Sequence, residues 1–542
     1  MKARHTLSLA LLLAGTVTAF GQNLNPTVEV TNTYQREAGG IEKPVLLLPV
    51  PDSLTQFRLD FDYSVRTTPY LGSYEFQPYQ VQLRPNAQLD GQKTFFLNVG
   101  AGYPFHPELT AVWAPLRKEH FHLNVYADHY SYMGLYKGMD QLADLTITDP
   151  GNLEPMSGCN SHSAVGVNAL FDWKGGQLSA DVRYKNIIGT DVWDENCYHG
   201  IGARISACSN PSNTFQWEVS EKADWLYAED LIQELHSQTH LGAGTRFGGH
   251  FLKLDVDAEA VDRPDNLSAG LFALTPRYIM TFGALRMDLG VKLSYMFHST
   301  EGFYTPKSDF VFPDVHLRFG VIPEKLVLQA AATGGDRMHV YTDWLDTNPW
   351  QSSVVGVMDN SVERINFMGG VRGQLWGHFH YDLRGGYAMW KNALLWGVAK
   401  YPSPNQFRSE IGYRNYQLLY ANADLGWKSD YLDVDLALQY NKTDLDEERL
   451  FAPAAFEGRF NALYNWGGRI WAGVRTDFST ERVSKEAILP GYVDLGLYGS
   501  YRITRHFGPW LRLGNLLGQT IQRVPFHAEK GVYFTLGIRW NF

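Results

Sequence analysis

The chain is 542 residues long, 14% aromatic and 44% hydrophobic, with a formal net charge of -10 at pH 7. Such acidity excludes nucleic acid as a partner, because binding phosphates needs a basic surface. Mean hydropathy is -0.26 and no long apolar run follows the first residues, which excludes a helical membrane protein.

Lys2 and Arg4 precede an apolar core, Leu7 to Ala14, and the small residues Ala19 and Gly21. This order predicts a secretory signal peptide over residues 1–21, cut after Gly21. Its core is too short to span a bilayer, and Gln22 offers no thiol for a lipid anchor. Residues 22–90 read as an N-terminal extension, periplasmic or lumenal. Pro44, Pro49 and Pro51 interrupt it, and Phe57, Leu59, Phe61, Tyr63 and Val65 then alternate with Arg58, Asp60 and Asp62 as in a pairing strand.

Over residues 91–542 a period of two recurs. Phe95, Leu97, Val99, Ala101 and Tyr103 take one parity and Asn98, Gly100 and Gly102 the other. The pattern returns in Phe121 to Ala127, Val165 to Trp173, Leu178 to Tyr184, Leu252 to Ala260, Leu285 to Tyr295 and Leu432 to Tyr440. Successive side chains of a strand face opposite sides, so alternation over this length describes a sheet with one apolar and one polar face. Two scales of connection separate these segments. Turns such as 247–250, 322–324, 428–430 and 502–506 are tight; the stretches 133–160, 187–235, 334–362 and 401–415 are long. Short turns on one side and long loops on the other fit a transmembrane antiparallel β-barrel, and the segments count to about 20 strands, within 16–22. The alternating faces carry mixed charges, among them Asp181, Arg183, Lys253, Asp255, Asp257, Arg286 and Asp288, as expected of a hydrated lumen.

The chain closes on Gly531 to Phe542, GVYFTLGIRWNF, in which Phe534, Leu536, Ile538, Trp540 and Phe542 share one parity. With Asn515-Leu516-Leu517-Gly518 and Pro525 before it, this end is similar to the final hairpin of TonB-dependent receptors of the outer membrane. Asn25 to Tyr34 resembles the N-terminal stretch of Bacteroidetes outer-membrane proteins related to those receptors. GAGYPFHPELTAVWAP followed by HFHLNVYADHYSY resembles the opening of the barrel in the same plugless group. The resemblance implies residence in outer-membrane lipid, insertion by the barrel-assembly machinery through the C-terminal signal Phe534, Leu536, Ile538, Trp540 and Phe542, and passage or binding of a solute. Thr27 to Thr31 looks like a TonB box, which would add a TonB partner by strand addition. The chain departs from the receptors in lacking a recognisable plug: a plug would need a further domain of about 100–150 residues. A non-conducting barrel that serves as scaffold for an envelope partner is the alternative, and the expectation is that the lumen is filled by residues 22–90 or by outer loops folded inward.

Candidate chemistry is sparse. Of the three cysteines, Cys197 and Cys208 lie close enough in sequence to close one loop within 187–235 in an oxidising compartment, and a disulfide between them is possible in that setting. His120 with His122 and His378 with His380 each share a strand face, but two ligands do not make a metal site. A barrel hydrolase would need a nucleophile and a base in contact; Ser163 with His162 comes nearest, while Asp128 and His129 face opposite sides. The expectation is therefore no enzyme, no cofactor and no metal.

Overall fold

A computed structural model describes residues 59–61, 83–85, 94–136, 156–190, 195–228, 232–264, 267–298, 309–351, 358–402, 405–447, 449–485 and 487–542. The leader, the stretch 25–34 and most of the extension 22–90 lie outside them. Of that extension, Leu59–Phe61 pairs antiparallel with Leu83–Pro85.

The first half of the barrel comprises β1 (Phe95–Tyr103), β2 (Glu108–Lys118), β3 (Phe121–Tyr136), β4 (Met156–Trp173), β5 (Gly176–Thr190), β6 (Glu195–Ser209), β7 (Phe215–Ala228), β8 (Ile232–Phe247), β9 (His250–Arg263), β10 (Leu267–Phe282) and β11 (Leu285–His298). The second comprises β12 (Val311–Ile322), β13 (Leu326–Arg337), β14 (Ser361–Leu375), β15 (Phe379–Pro402), β16 (Asn405–Lys428), β17 (Leu432–Thr443), β18 (Phe456–Trp466), β19 (Ile470–Ser479), β20 (Tyr492–Tyr501), β21 (Phe507–Gly514) and β22 (Tyr533–Asn541). Each strand is antiparallel to the next, and β22 returns to β1 in the register Phe534↔Tyr103 to Asn541↔Phe96. The result is a closed barrel of 22 strands. Closure removes the unpaired edges that an open sheet would expose, and the chain's last residue takes part, Phe542 N donating to Phe95 O at 3.0 Å.

The alternation is realised in the wall. Leu252 and Leu254 are exposed on the outside while Lys253 and Asp255 are buried inside. Exposed aromatic residues gather outside at both ends: Trp173, Phe282, Trp466 and Phe542 beside the short turns, and Tyr103, Phe105, Tyr295 and Phe297 at the other. Two such belts are what bilayer interfaces select. Among the described residues no helix is long and apolar enough to cross a membrane.

The tight turns named from sequence all lie at one end, where Gly248 (φ 61°) and Gly283 (φ 55°) take the left-handed backbone that favours glycine. The opposite end is uneven. The hairpin of β15 and β16 has 24 residues in each arm, against 8 and 9 in β21 and β22. At about 3.3 Å per residue its arms run on the order of 80 Å, so the hairpin stands far above the short side of the rim.

Two long connections are thereby corrected. The stretch 187–235 is not one outer loop: it contains β6 and β7, joined by a turn at 210–214 on the short-turn end. The stretch 401–415 belongs to the arms of the tall hairpin, whose register continues to Pro402↔Asn405.

Candidate functional site: the loop-closed mouth

At the long-loop end, connections outside the barrel sheet turn inward and make the largest apolar core among the described residues. The connection between β13 and β14 supplies Tyr341, Trp344, Leu345, Trp350 and Met358; the others supply Phe451, Ala487, Leu489, Val524 and Phe526. The wall contributes Ile187, Tyr198, Leu226, Leu394 and Trp396. Leu345 is fully buried, and so are Tyr198 and Leu226, although the strands of these two line a lumen read from sequence as hydrated. This hydrophobic collapse at the mouth is held by the same apolar burial that builds a soluble core.

The principal piece is α1 (Tyr341–Thr347). A seven-residue helix is too short to persist alone, and polar groups of the wall fix it at both ends. Buried Glu234 of β8 accepts from Thr342 N at 2.9 Å, Thr342 Oγ1 at 3.0 Å and Tyr341 N at 3.3 Å. Those are the orphan donors of a first turn. Lys185 of β5 donates to Thr342 O at 2.9 Å and to Asp346 Oδ1 at 2.8 Å. Beyond the helix, Gln351 accepts through its backbone oxygen from Asn196 (3.0 Å) and Tyr198 (3.1 Å), and through Oε1 from Trp344 Nε1 (3.1 Å). Trp344 packs on Trp396, with ring centroids 4.5 Å apart, and Trp350 stacks on His527 at 4.5 Å.

Polar groups sealed into this lid are held in defined states. Burial, with Arg337 nearby, pulls the His339 imidazole down to about 3, so the ring is neutral. Ser361 Oγ donates to Asn392 O at 2.8 Å, leaving its lone pairs to accept from His339 Nε2 at 2.7 Å. In the connection between β21 and β22, Arg523 pairs with Glu529 and with Asp494 (3.3 Å). Lys530 has its ammonium 4.2 Å from the ring centroid of Tyr533 and 4.8 Å from that of Tyr130. Burial pushes Lys530 down to about 8.

Below the lid the inner wall carries a ladder of alternating charge. Lys253 Nζ lies 3.0 Å from Glu218 and 2.9 Å from Asp255, His240 bonds Glu218 at 2.9 Å and Asp257 at 2.6 Å, and Arg277 joins Asp255 (3.3 Å) to Asp314 (2.5 Å). Glu218, His240 and Asp255 have the donor types and closeness of a metal site. The Lys253 ammonium already stands between the two carboxylates, so this donor set does not fit a dication. The mixed lumen charges read from sequence thus meet as ion pairs.

The site residues named from sequence fall elsewhere. Phe534, Leu536, Ile538, Trp540 and Phe542 all point outward from the end of the chain and are exposed. The disulfide between Cys197 and Cys208 is ruled out by geometry. Both thiols are free and sit near opposite ends of the single strand β6, about 36 Å apart at 3.3 Å per residue, whereas bridged Cα atoms lie within about 7 Å. Ser163 and His162 face opposite sides of β4. The imidazole that meets Ser163 belongs to His129, with Nδ1 2.8 Å from Ser163 Oγ. Cross-strand pairing of β3 with β4 makes that contact, and no sequence spacing announced it.

No protein-family model matches the chain, and no curated protein matches it. Solved structures do. The FrpB iron transporter from Neisseria meningitidis is similar with a TM-score of 0.62 at 9% identity, over 84% of this chain and 83% of that one. A variant of the ferric enterobactin receptor PfeA from Pseudomonas aeruginosa gives 0.61 at 11%, over 84% and 81%. The copper transporter OprC gives 0.57 at 12%, over 83% and 80%. At such identities the likeness is one of fold.

Proposed function

We propose that this chain is an outer-membrane β-barrel for the binding or passage of a solute, with its outer mouth closed by its own loops. The single observation that carries the reading is the apolar core built from the inward-turned connections around α1. A wall of 22 strands encloses a lumen wide enough to need an occupant, and these connections supply one at the rim. The neighbours in fold, named as an iron transporter, a copper transporter and a ferric enterobactin receptor, support uptake of a solute over a purely mechanical role. In this reading the long-loop end faces outward and the short turns face the periplasm. Residues 22–90 are an extension on the periplasmic or lumenal side, and Phe534 to Phe542 is the signal read by the assembly machinery. Residues 25–34 offer the strand for a TonB partner. Deleting them should abolish energised uptake while the barrel still assembles.

Single-channel recording in planar bilayers tests the closure. The intact protein should show no large ohmic conductance. A steady open pore in the intact protein would sink the reading. The competing scaffold role predicts stoichiometric recovery of a partner from detergent-solubilised membranes, with no solute bound and no conductance from variants that release the lid.

A further inference from the structure

His129, Ser131 and Ser163 project from the outside of the wall, and closure of the mouth gives them no task. The pairing of β3 with β4 sets His129 directly opposite Ser163. His129 Nδ1 is 2.8 Å from Ser163 Oγ, and Nε2 is 3.2 Å from Ser131 Oγ. Ser131 is fully buried, whereas His129 and Ser163 are partly exposed. A hydroxyl that can be reached, an imidazole against it and a sealed hydroxyl behind the ring are the parts of a nucleophile, its base and the group that orients the base.

Depth in the wall points to the substrate. On the same outward face of β4, Val165, Val167, Phe171 and Trp173 are exposed and apolar, whereas Ser161 and Cys159 follow on the rim side of Ser163. Ser163 is thus the first hydroxyl beyond the apolar band. An acyl chain lying against that band would bring its ester carbonyl to this level. We propose that Ser163, His129 and Ser131 form a site on the outer surface of the barrel that hydrolyses the acyl ester of a membrane lipid. The inference rests on the outward face being lipid-facing, and it departs from the non-enzymatic expectation drawn from sequence.

Ser163 O–H donates to His129 Nδ1 while Nε2–H donates to Ser131, which fixes the tautomer. Ser163 Oγ attacks the ester carbonyl carbon and its proton passes to Nδ1. The bond from carbon to the glycerol oxygen breaks, the proton goes to that oxygen, and the lysolipid leaves. Water then attacks the acyl-serine, again losing a proton to His129, and the carboxylic acid departs with Ser163 restored. Asn186, paired with Ser163 from the opposite side, is the side chain placed to donate to the oxyanion. To do so its amide must leave Cys197 Sγ (3.4 Å), Tyr198 O (3.2 Å) and His199 Nδ1 (3.4 Å).

The test uses the full-length barrel in mixed micelles with a diacyl phospholipid, reading released fatty acid by mass spectrometry and labelling by a fluorophosphonate probe. Ser163→Ala and His129→Ala should each lower release by about a hundredfold or more, and the probe should mark Ser163. Ser131→Ala should slow release and Ser131→Thr restore it, while His162→Ala, on the inner face, changes nothing. Heat-modifiable mobility on gels reports assembly of every variant. An assembled barrel that neither releases fatty acid nor takes the probe overturns the proposal, as does release that survives Ser163→Ala. Extraction of the protein by alkaline carbonate would instead remove the membrane reading itself.

Discussion

The wall and the lid of this barrel are both built from aromatic and aliphatic residues, yet they use them in opposite ways. In β22 the apolar side chains from Phe534 to Phe542 point away from the molecule and stay exposed; in the connection between β13 and β14, Trp344 and Leu345 point into a core and are sealed. On the proposed reading the wall's apolar surface meets an apolar solvent, whereas the lid's is removed from water. On that reading stability of the wall is set by the surrounding lipid and by closed strand pairing, and stability of the lid by side-chain packing and by the polar contacts that tie α1 to the wall. The two should fail independently.

The largest expected effect separates them from the lid side. Leu345 is fully buried at the centre of the lid, so Leu345→Ala should cost about 2–5 kcal/mol of lid stability. Barrel assembly should persist, seen as unchanged heat-modifiable mobility, while the 338–360 connection becomes sensitive to protease and conductance appears in planar bilayers. Loss of assembly would mean that lid and wall fold as one unit. A further lid effect is expected from Glu234→Ala, which removes the acceptor of three donors of α1 at about 1–3 kcal/mol for each that stays buried and unpaired, and it should appear in the same protease assay.

From the wall side, Leu536→Arg puts a charge on the exposed outward face of β22. Its cost should be about 2–4 kcal/mol if the position is near mid-bilayer, read from urea unfolding in micelles and from a reduced assembled fraction. The lid should be intact in whatever barrel does form. Equal tolerance of Arg and Leu at this position would break the claim that the wall faces lipid.

The same contrast explains what could be read from sequence. Residues 165–173 and 531–542 were legible because a closed sheet with an apolar outer face and a polar inner face imposes a period of two. The signal stops where a strand rises past the apolar band. In β6 the outward residues Glu195, Cys197 and His199 are polar, so the alternation of Ile201, Ala203, Ile205 and Ala207 is cut short and the strand read as part of a long loop. The upper arm of β15 was missed for a different reason: Leu394, Trp396 and Val398 pack into the lid while Ala393 and Leu395 pack with Leu450 on the other face, so both parities are apolar and no alternation is left. The count of about 20 strands, within 16–22, nonetheless takes in the observed 22. The lid had no local signal at all: α1 is too short for a helical period, and Trp344 finds Trp396 across 52 positions of chain. Likewise His129 and Ser163 meet only through the register of two strands whose connection is long.

The smallest effect concerns Lys530, which lies in the connection between β21 and β22 and so belongs to the lid. Its ammonium is buried against Tyr533 and Tyr130, and burial lowers it from an ordinary 10.5 to about 8. Below pH 8 the group is charged in both the closed and the opened loop, and the penalty for burying that charge is fully present. Between about pH 8 and 10.5 the opened loop binds more protons than the closed one, so closure strengthens as pH rises. From pH 7 to pH 9 the gain should be about 1 kcal/mol. Hydrogen exchange of residues 519–532 should slow accordingly, after correction for the intrinsic pH dependence, and Lys530→Met should remove the dependence while leaving the exchange of β22 unchanged. A lid that loosens over this range would mean that the contacts of the cation with the two tyrosine rings outweigh its desolvation, and that this connection is held partly by charge.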